Sequence, residues 1–285
     1  MRLDDEQQSQ NIEDRRGLRV SRGVAGGGIG GIAIVLIALF FGIDPSVVLQ
    51  GTPETNVSPD PAPRSQQVPG GDDGREFVAR VLGSTERVWG EIFQRGGRQY
   101  AEPKLVLFTG QVQSACGFAS AAAGPFYCGN DHKVYIDLAF YRELRERFKA
   151  PGDFAQAYVI AHEVGHHVQN LLGIMEKTQS RQRRGGEREA NSLSVRLELQ
   201  ADCLAGIWAH LANRDRKILE TGDVEEGLNA AAQIGDDMMQ KRAQGYVVPE
   251  GFTHGSAQQR VRWFRRGIES GDLKQCDTFA ERGVL

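Results

Sequence analysis

The stretch that decides the fold is Tyr158–Leu172, which reads Y-V-I-A-H-E-V-G-H-H-V-Q-N-L-L. His162 and His166 are four residues apart, so on a helix both imidazoles project from the same side. Apolar residues recur at three- and four-residue spacing, the period of a helix packed on one face: Phe154, Tyr158, Ala161, Val164, Val168 and Leu172. The stretch therefore predicts a buried helix that carries two histidines on one face.

This histidine pair has the spacing of a zinc site. In the pattern H-E-x-x-H, two neutral imidazoles bind zinc and the glutamate after the first histidine is the general base. Glu163 occupies that position. The alternative is a chance match on a core helix with two hydrogen-bonded histidines, but the uncharged flanks favour a metal site. We expect His162 and His166 to bind Zn²⁺ and Glu163 to be catalytic.

A catalytic zinc needs a third protein ligand, and a second helix offers one. A long helix is predicted from about residue 189 to 213, with Glu198 and Asp202 four residues apart in L-E-L-Q-A-D-C-L-A-G. An E-x-x-x-D pair is usually a solvated helix face, but here the neighbours are apolar, and buried carboxylates must be paired or bound to metal. Glu198 is thus the expected third ligand, and Asp202 is expected to accept a hydrogen bond from a ligand imidazole.

Composition limits the class of protein. The chain has 285 residues, is 40% hydrophobic and carries a formal net charge of −3. It is long enough for one catalytic domain with smaller attachments, and its charge gives no indication of a nucleic-acid partner.

The N-terminal region predicts a membrane anchor. Residues 23–43 contain no charged side chain and are long enough to span a bilayer as a helix. Five arginines precede this span and no lysine or arginine follows before Arg64, so the positive-inside rule places the N-terminus in the cytoplasm and exports the rest. A cleaved signal peptide is the alternative, but no small-x-small cleavage site follows the apolar residues.

These features divide the chain into four regions. They are a cytoplasmic tail (1–22), a transmembrane anchor (23–43), a flexible proline-rich tether (44–72) and a catalytic domain (73–285). The domain is predicted as α+β and mostly helical, with strands at Lys104–Phe108 and Val134–Leu138. Further helices are predicted at about 75–95, 139–148 and 223–244, an exposed loop at 177–188, and a last helix opened by a capping box at Ser256–Gln259.

Several separate motifs carry a family resemblance. The stretches H-E-V-G-H-H-V-Q-N, E-L-Q-A-D-C-L-A-G-I-W-A, S-A-C-G-F-A-S and G-P-F-Y-C, together with the N-terminal E-D-R-R-G, resemble the YpfJ-type family of neutral zinc metallopeptidases. More distantly, H-E-x-x-H with E-x-x-x-D is similar to the HtpX-like gluzincins, whose second-motif glutamate is the third zinc ligand. The resemblance implies a zincin-like domain, the ligands His162, His166 and Glu198, the base Glu163, and a protein or peptide substrate. By analogy with gluzincins, that substrate would lie along an exposed sheet edge, for which Val134–Leu138 is the candidate.

The same resemblance draws attention to His254. The segment T-H-G-S-A-Q-Q-R-V is similar to T-H-P-x-x-x-x-R-I of HtpX-like gluzincins, with Gly255 in place of proline. His254 precedes the capped helix, where a loop can present an imidazole to a developing oxyanion. We expect His254 to assist catalysis without binding zinc, and Arg260 to anchor a carboxylate near the ligands. The alternative for His254 is an exposed loop histidine.

Four cysteines allow three pairings. Cys116 and Cys128 are close in sequence, and a bond between Cys203 and Cys276 would join the tail to the helix of the third ligand. This pairing is the one expected in an exported domain, and four reduced cysteines are the alternative. Two other classes of function also stay open: a catalytically silent binding or chaperone module, and a structural zinc protein. The intact Glu163 argues against the first, and the lack of a four-ligand set argues against the second.

Overall fold

The computed structural model describes residues 1–17 and 72–280. Its fold is α+β and mostly helical, as predicted. The strands are β1 (Ile12–Asp14), β2 (Lys104–Phe108), β3 (Gln111–Ser114), β4 (Gly117–Ser120), β5 (Phe126–Cys128) and β6 (Lys133–Asp137). The helices are α1 (Asp73–Arg95), α2 (Ala139–Glu146), α3 (Asp153–Leu171), α4 (Ile174–Gln182), α5 (Glu187–Arg216), α6 (Asp223–Gln233), α7 (Asp236–Gln244) and α8 (Ala257–Ser270).

Four strands form one small sheet in the order β1-β2-β6-β5. β1, β2 and β6 are parallel, and β5 runs antiparallel to β6. Alternate residues of β2 and β6 face the helices, among them Leu105, Leu107, Val134 and Ile136, all fully buried. β3 and β4 form a separate hairpin, whose Val112 packs with Phe108 in a smaller cluster on the other sheet face.

The predicted substrate edge, Val134–Leu138, is wrong. β6 pairs with β2 on one side, Leu105 opposite Val134, and with β5 on the other, Tyr127 opposite Val134. β6 is thus an inner strand of the sheet, and β5 covers it at residues 133–135. β1 is the edge on the other side of the sheet, and on this side the edge strand among the described residues is β5. Sequence periodicity could not reveal it, because three residues are too few to show an alternation.

The two helices that carry the zinc-site motifs, α3 and α5, touch at a glycine. A Cβ at Gly165 would lie 3.0 Å from the carbonyl oxygen of Ala201, so only glycine allows this closeness. α5 meets α8 in the same way, because a Cβ at Gly206 would lie 2.4 Å from the oxygen of Phe264. These backbone contacts hold α5 between the other two helices and fix its position relative to α3.

Two helix predictions need correction. Residues 177–188 are not a loop throughout: α4 extends to Gln182, whose amide nitrogen donates to Ser194 Oγ on α5 at 2.9 Å. The predicted helix 223–244 is two helices, α6 and α7, which are separated near Gly235. A Cβ at Gly235 would lie 2.3 Å from the nitrogen of Ala257, so the chain must bend there to admit α8. Both corrections depend on contacts with distant segments.

Residues 1–17 belong to the same folded unit as the helices. β1 pairs with β2, with Ile12 opposite Leu105, and Glu13 accepts from Lys133 Nζ at 2.8 Å. Glu6, which is buried, forms an ion pair with Arg216 at the end of α5. The guanidinium of Arg16 binds the carboxylate of Asp72, which caps α1. Residues 16 and 72, which lie on either side of the part of the chain that is not described, are therefore in contact.

This packing disagrees with the predicted topology. That topology placed residues 1–22 in the cytoplasm and the domain from residue 73 outside it. Strands that are hydrogen-bonded to each other must lie on the same side of a membrane, so residues 1–17 and 72–280 share one side. Across those two ranges, no helix is both long and apolar enough to cross a bilayer. The predicted anchor 23–43 and nearly all of the tether lie outside the described residues.

Both predicted disulfides are confirmed. Cys116, at the tip of the β3–β4 hairpin, is bonded to Cys128 at the end of β5. Cys203 on α5 is bonded to Cys276, close to the end of the described chain. The capping box that opens α8 is also confirmed, with Ser256 and Gln259 exchanging hydrogen bonds.

Candidate metal centre

Three side chains that the sequence singled out as metal ligands converge between α3 and α5. The Nε2 atom of His162 lies 3.2 Å from Oε2 of Glu198, and Nε2 of His166 lies 3.4 Å from Oε1 of the same carboxylate. One donor atom from each residue falls within a group whose members are at most 4.8 Å apart. The i, i+4 spacing on α3 puts the two imidazoles on one face, and the contact at Gly165 brings Glu198 up to them.

The far nitrogen of each imidazole has its own partner. Nδ1 of His162 lies 2.9 Å from Oδ1 of Asp202, the contact expected from the sequence. Nδ1 of His166 lies 2.9 Å from the amide oxygen of Gln169. Both partners can accept a hydrogen bond from Nδ1, so each Nε2 is left facing the space before Glu198, where it can offer its lone pair to a metal that displaces a proton. This is the ring orientation that a metal ligand requires.

Asp202 is the centre of a buried polar network. Arg260 of α8 donates to both of its oxygens, at 2.8 and 2.9 Å, and the hydroxyl of Tyr158 donates to it at 2.5 Å. Arg260 thus anchors a carboxylate beside the ligands, as the sequence analysis expected. A buried carboxylate that accepts these bonds stays ionised, since burial would raise the pKa of Asp202 but Arg260 and His162 lower it.

The same charges set the protonation of the ligand residues. Burial alone would lower the pKa of His162, but Asp202 and Glu198 together raise it to about 9. Burial would likewise raise the pKa of Glu198, but the imidazoles around it lower the pKa well below its ordinary value. Without a cation, protons on these imidazoles are therefore favoured beside the Glu198 carboxylate. A metal ion would replace those protons.

Glu163 and His254 line the cavity in front of this centre, which has a volume of about 380 Å³. Glu163 is 8% exposed, and burial raises the pKa of its carboxyl group. His254 approaches from the loop before α8, on the wall that faces Glu198. Apolar side chains make up much of the remaining lining: Phe126, Phe140, Met175, Leu197, Ile234 and Met239. The predicted base and the predicted assisting histidine therefore share one cleft with the ligand group.

The remaining histidines lie away from the ligand group. His167 points from α3 toward the sheet, where Nε2 lies 2.6 Å from the oxygen of Ala101 and Nδ1 lies 3.0 Å from the hydroxyl of Tyr127. It is a packing residue, as its position on the helix predicted. His132 stands on a turn at positive φ, and His210 bonds the carbonyl of Ile268 on the opposite side of α5.

Sequence analysis missed three polar residues that build this centre. Gln169 could have been found, because it lies one helical turn after His166. Tyr127 of β5 fixes the sheet edge to α3 through His167 and through Asn170, whose amide donates to its hydroxyl at 3.0 Å. Asp236 binds the loop that carries His254. Tyr127 and Asp236 contact residues that are distant in the sequence, so no spacing pattern in the chain predicts their roles.

The donor set fits zinc. Two imidazole nitrogens and one carboxylate oxygen are common ligands of a catalytic zinc, which keeps one further position open. Cys203, on the same helix as Glu198, is in a disulfide and so offers no thiolate. In residues 1–17 and 72–280, no fourth histidine, cysteine or acidic donor joins this group.

The fold and the centre together define a metal-dependent peptidase, and comparison with known sequences gives the same class. The profile of the family described as "Putative neutral zinc metallopeptidase" matches residues 1–279, so the chain belongs to the neutral zinc metallopeptidase family. Zinc is its metal, and proteins or peptides are its class of substrate.

Its relatives include protein YpfJ of Escherichia coli (strain K12), which is 46% identical over 292 residues and 99% of each chain. The proteins Mb2605 of Mycobacterium bovis and Rv2575 of Mycobacterium tuberculosis (strain ATCC 25618 / H37Rv) are each 40% identical over 258 residues, 85% of each chain. No solved structure matches significantly.

Proposed function

We propose that this protein hydrolyses peptide bonds with zinc held by His162, His166 and Glu198 and with Glu163 as the general base. The observation that carries the proposal is the convergence of these three donors beside a buried glutamate in one cavity. The roles correspond to those of a gluzincin, in which a glutamate on the second helix completes the zinc site. Family membership supports the peptidase activity at the level of the class.

The chemistry divides between the metal and the side chains. When bound, zinc acts as a Lewis acid that makes water a nucleophile near neutral pH. Glu163 accepts the proton that the attacking water loses and delivers a proton to the leaving amine. Burial supports this role, because the raised pKa of Glu163 brings its carboxylate closer to the basicity that proton transfer at neutral pH requires.

His254 would stabilise the reacting carbonyl group of the substrate, and the edge strand β5 would bind its backbone. The attack places negative charge on the carbonyl oxygen, and a hydrogen-bond donor in the wall of the cavity stabilises that charge. His254 is the candidate donor. An extended peptide can pair through its backbone with the outer edge of β5, since residues 124–127 line the cavity and, within residues 1–17 and 72–280, β5 pairs with β6 alone. The apolar lining favours substrates with hydrophobic side chains near the cleaved bond.

The disulfides support a site of action outside the cytoplasm. Both bonds are closed, and such bonds persist in oxidising compartments such as the bacterial periplasm or the cell exterior. Attachment to the cell membrane through residues 23–43 remains a prediction, since these residues lie outside the described part of the chain; the single crossing expected from the sequence does not fit the pairing of β1 with β2.

Replacing Glu163 with glutamine tests the function. The amide keeps the shape of the side chain but cannot take a proton, so digestion of casein or of a peptide library should stop while zinc stays bound. Zinc is measured in the same preparations by elemental analysis. Glu176→Gln is the matched control, because Glu176 is an exposed residue on α4, next to the metal helix.

The outcomes separate the alternatives. Loss of cleavage with intact zinc supports the proposal. Undiminished cleavage by the Glu163→Gln protein contradicts the assigned base. If the unaltered protein binds zinc tightly but cleaves nothing in a broad library, the silent binding or chaperone module becomes the better description.

A further inference from the structure

The loop that carries His254 is held by one buried side chain, Asp236 at the start of α7. Its Oδ2 atom accepts hydrogen bonds from three consecutive backbone N–H groups: Thr253 at 2.8 Å, His254 at 2.6 Å and Gly255 at 2.9 Å. The nitrogen of Asp236 also donates to the oxygen of Gly255 at 2.8 Å. The carboxylate is completely buried. Loop and helix are thus joined by four hydrogen bonds around a single residue.

Asp236 also reaches the ring of His254. Its second oxygen, Oδ1, lies 3.3 Å from Nδ1, and the hydroxyl of Thr253 lies 2.9 Å from the same nitrogen. A carboxylate oxygen accepts and the hydroxyl can accept or donate, so both groups bind this edge of the ring through Nδ1. With Nδ1 turned toward α7, the opposite edge of the ring is the part that meets the cavity. The residue therefore fixes both the backbone and the rotation of His254.

The surroundings allow the loop little freedom. Gly255 has φ +89°, a conformation that glycine adopts without strain, and a Cβ there would lie 3.1 Å from Leu199 Cδ2. Glycine itself gives a loop no rigidity, so the rigidity here must come from the contacts of the loop. The hydrogen bonds from Asp236 supply it, because three N–H groups converge on one charged oxygen.

We propose that Asp236 is a positioning residue of the peptidase: it holds His254 in the cavity wall, where the imidazole meets the carbonyl oxygen of the scissile bond. The inference rests on the proposed function and adds a residue to it. A catalytic donor contributes most when it is already oriented before the reaction, since no free energy is then lost in arranging it. Asp236 touches no reacting atom, so its effect must pass through His254.

A double-mutant cycle with Asp236→Ala and His254→Ala tests this inference. The full chain with bound zinc is assayed for kcat and KM on a peptide that the unaltered protein cleaves. Loss of one oxyanion donor lowers kcat by roughly 10²- to 10³-fold, which is the result expected for His254→Ala. Asp236→Ala should lower kcat in the same direction, with a smaller change in KM. Adding it to His254→Ala should then have little further effect, because residues that act as one unit are not additive.

The variant Asp236→Asn distinguishes a loss of positioning from a loss of folding. The asparagine oxygen can still accept from the loop, but its NH₂ group places donors where the carboxylate accepted from the imidazole. Amide hydrogen exchange at residues 253–255 should therefore stay slow in this variant while kcat falls. Asp237→Asn is the matched control, since Asp237 binds the nitrogen of Ala257 and not the histidine loop. It should keep the original kcat.

The kinetic results of these variants either support or overturn the positioning role of Asp236. Unchanged kcat in Asp236→Asn, or losses that simply multiply in the double variant, overturns the positioning role while leaving the peptidase assignment intact. A Glu163→Gln protein that still turns over contradicts the proposed function and this inference with it. Loss of kcat in both Asp236 variants, with none beyond His254→Ala in the double variant, supports it.

Discussion

At the scale of single residues, Asp202 supports the candidate metal centre from behind. It contacts Nδ1 of His162, the ring nitrogen that points away from Glu198. It orients the ring of His162, and it balances the charge of the buried Arg260. Removal of either partner of a buried ion pair is costly, because the other charge remains buried alone. The orientation of His162 therefore depends on Asp202, a carboxylate that is not itself one of the candidate ligands.

That carboxylate makes zinc binding depend on pH. The pKa of His162 is raised from its ordinary 6.5 to about 9, so in the metal-free protein the imidazole is protonated below that pH. Zinc must displace the proton, and its affinity should rise by up to about tenfold per pH unit, for each proton displaced, from neutral pH to about 9. Competition with a chelator across this interval measures it. An affinity that is constant over the interval contradicts a protonated His162.

At the scale of elements, α3 contacts the sheet edge as well as carrying two of the candidate metal ligands. Its residues His167 and Asn170 both contact the hydroxyl of Tyr127 on β5. The strand that would pair with substrate is therefore fixed to the helix that presents the ligands.

His167 should make this contact sensitive to acid. Burial lowers its pKa to about 4, below the ordinary 6.5, so the folded protein binds the proton less readily than the unfolded chain. Stability from this group is present above pH 6.5 and is lost as pH falls toward 4. From pH 7 to pH 5 the loss is on the order of 2 kcal/mol in the free energy of unfolding. Urea unfolding at both values should show a smaller loss in His167→Asn; an equal loss in both proteins contradicts the assignment.

Local sequence patterns predicted the helices in which apolar residues recur at regular spacing. They failed for elements whose bounds or pairing are set by contacts with distant segments. α3 and α5 follow from apolar periodicity, and the ligand residues follow from their spacing on those helices. β1 and β5 have three residues each, so no alternation can show in the sequence. The end of α6 is set by the approach of Ala257 to Gly235, 22 positions earlier in the chain. Asp236 has no local signal, since its partners lie on another loop.

For the whole molecule, the pairing of residues 1–17 with the sheet is the feature that sequence reasoning did not anticipate. Charge bias beside an apolar span predicted a cytoplasmic tail. β1 extends the sheet, and Glu13 binds Lys133 of β6 across the one intervening strand, β2. Hydrophobicity and charge describe how a segment meets a bilayer, but they carry no information on which strand it will pair with.

The shared side of the two regions can be tested in cells. A carbodiimide joins a carboxylate and an amine only when they touch, and Lys133 Nζ lies 2.8 Å from Glu13. Treatment of intact cells or spheroplasts, followed by mass spectrometry, should yield a peptide linked through these residues. Glu13→Gln is the matched control and should give no such link. Absence of the link, together with an N-terminal tag that only cytoplasmic proteases reach, contradicts the pairing.

The ion pair between Arg16 and Asp72 also has a consequence for chain entropy. To form it, the unfolded chain must close a loop of roughly 50 residues, and closure entropy grows with the logarithm of loop length. Replacing that segment by a glycine linker of about four residues would leave both contact partners in place and reduce the cost of closure by about 2 kcal/mol. The catalytic unit can therefore tolerate wide variation in the length of this segment, because its length affects the free energy of folding only weakly and its ends lie together.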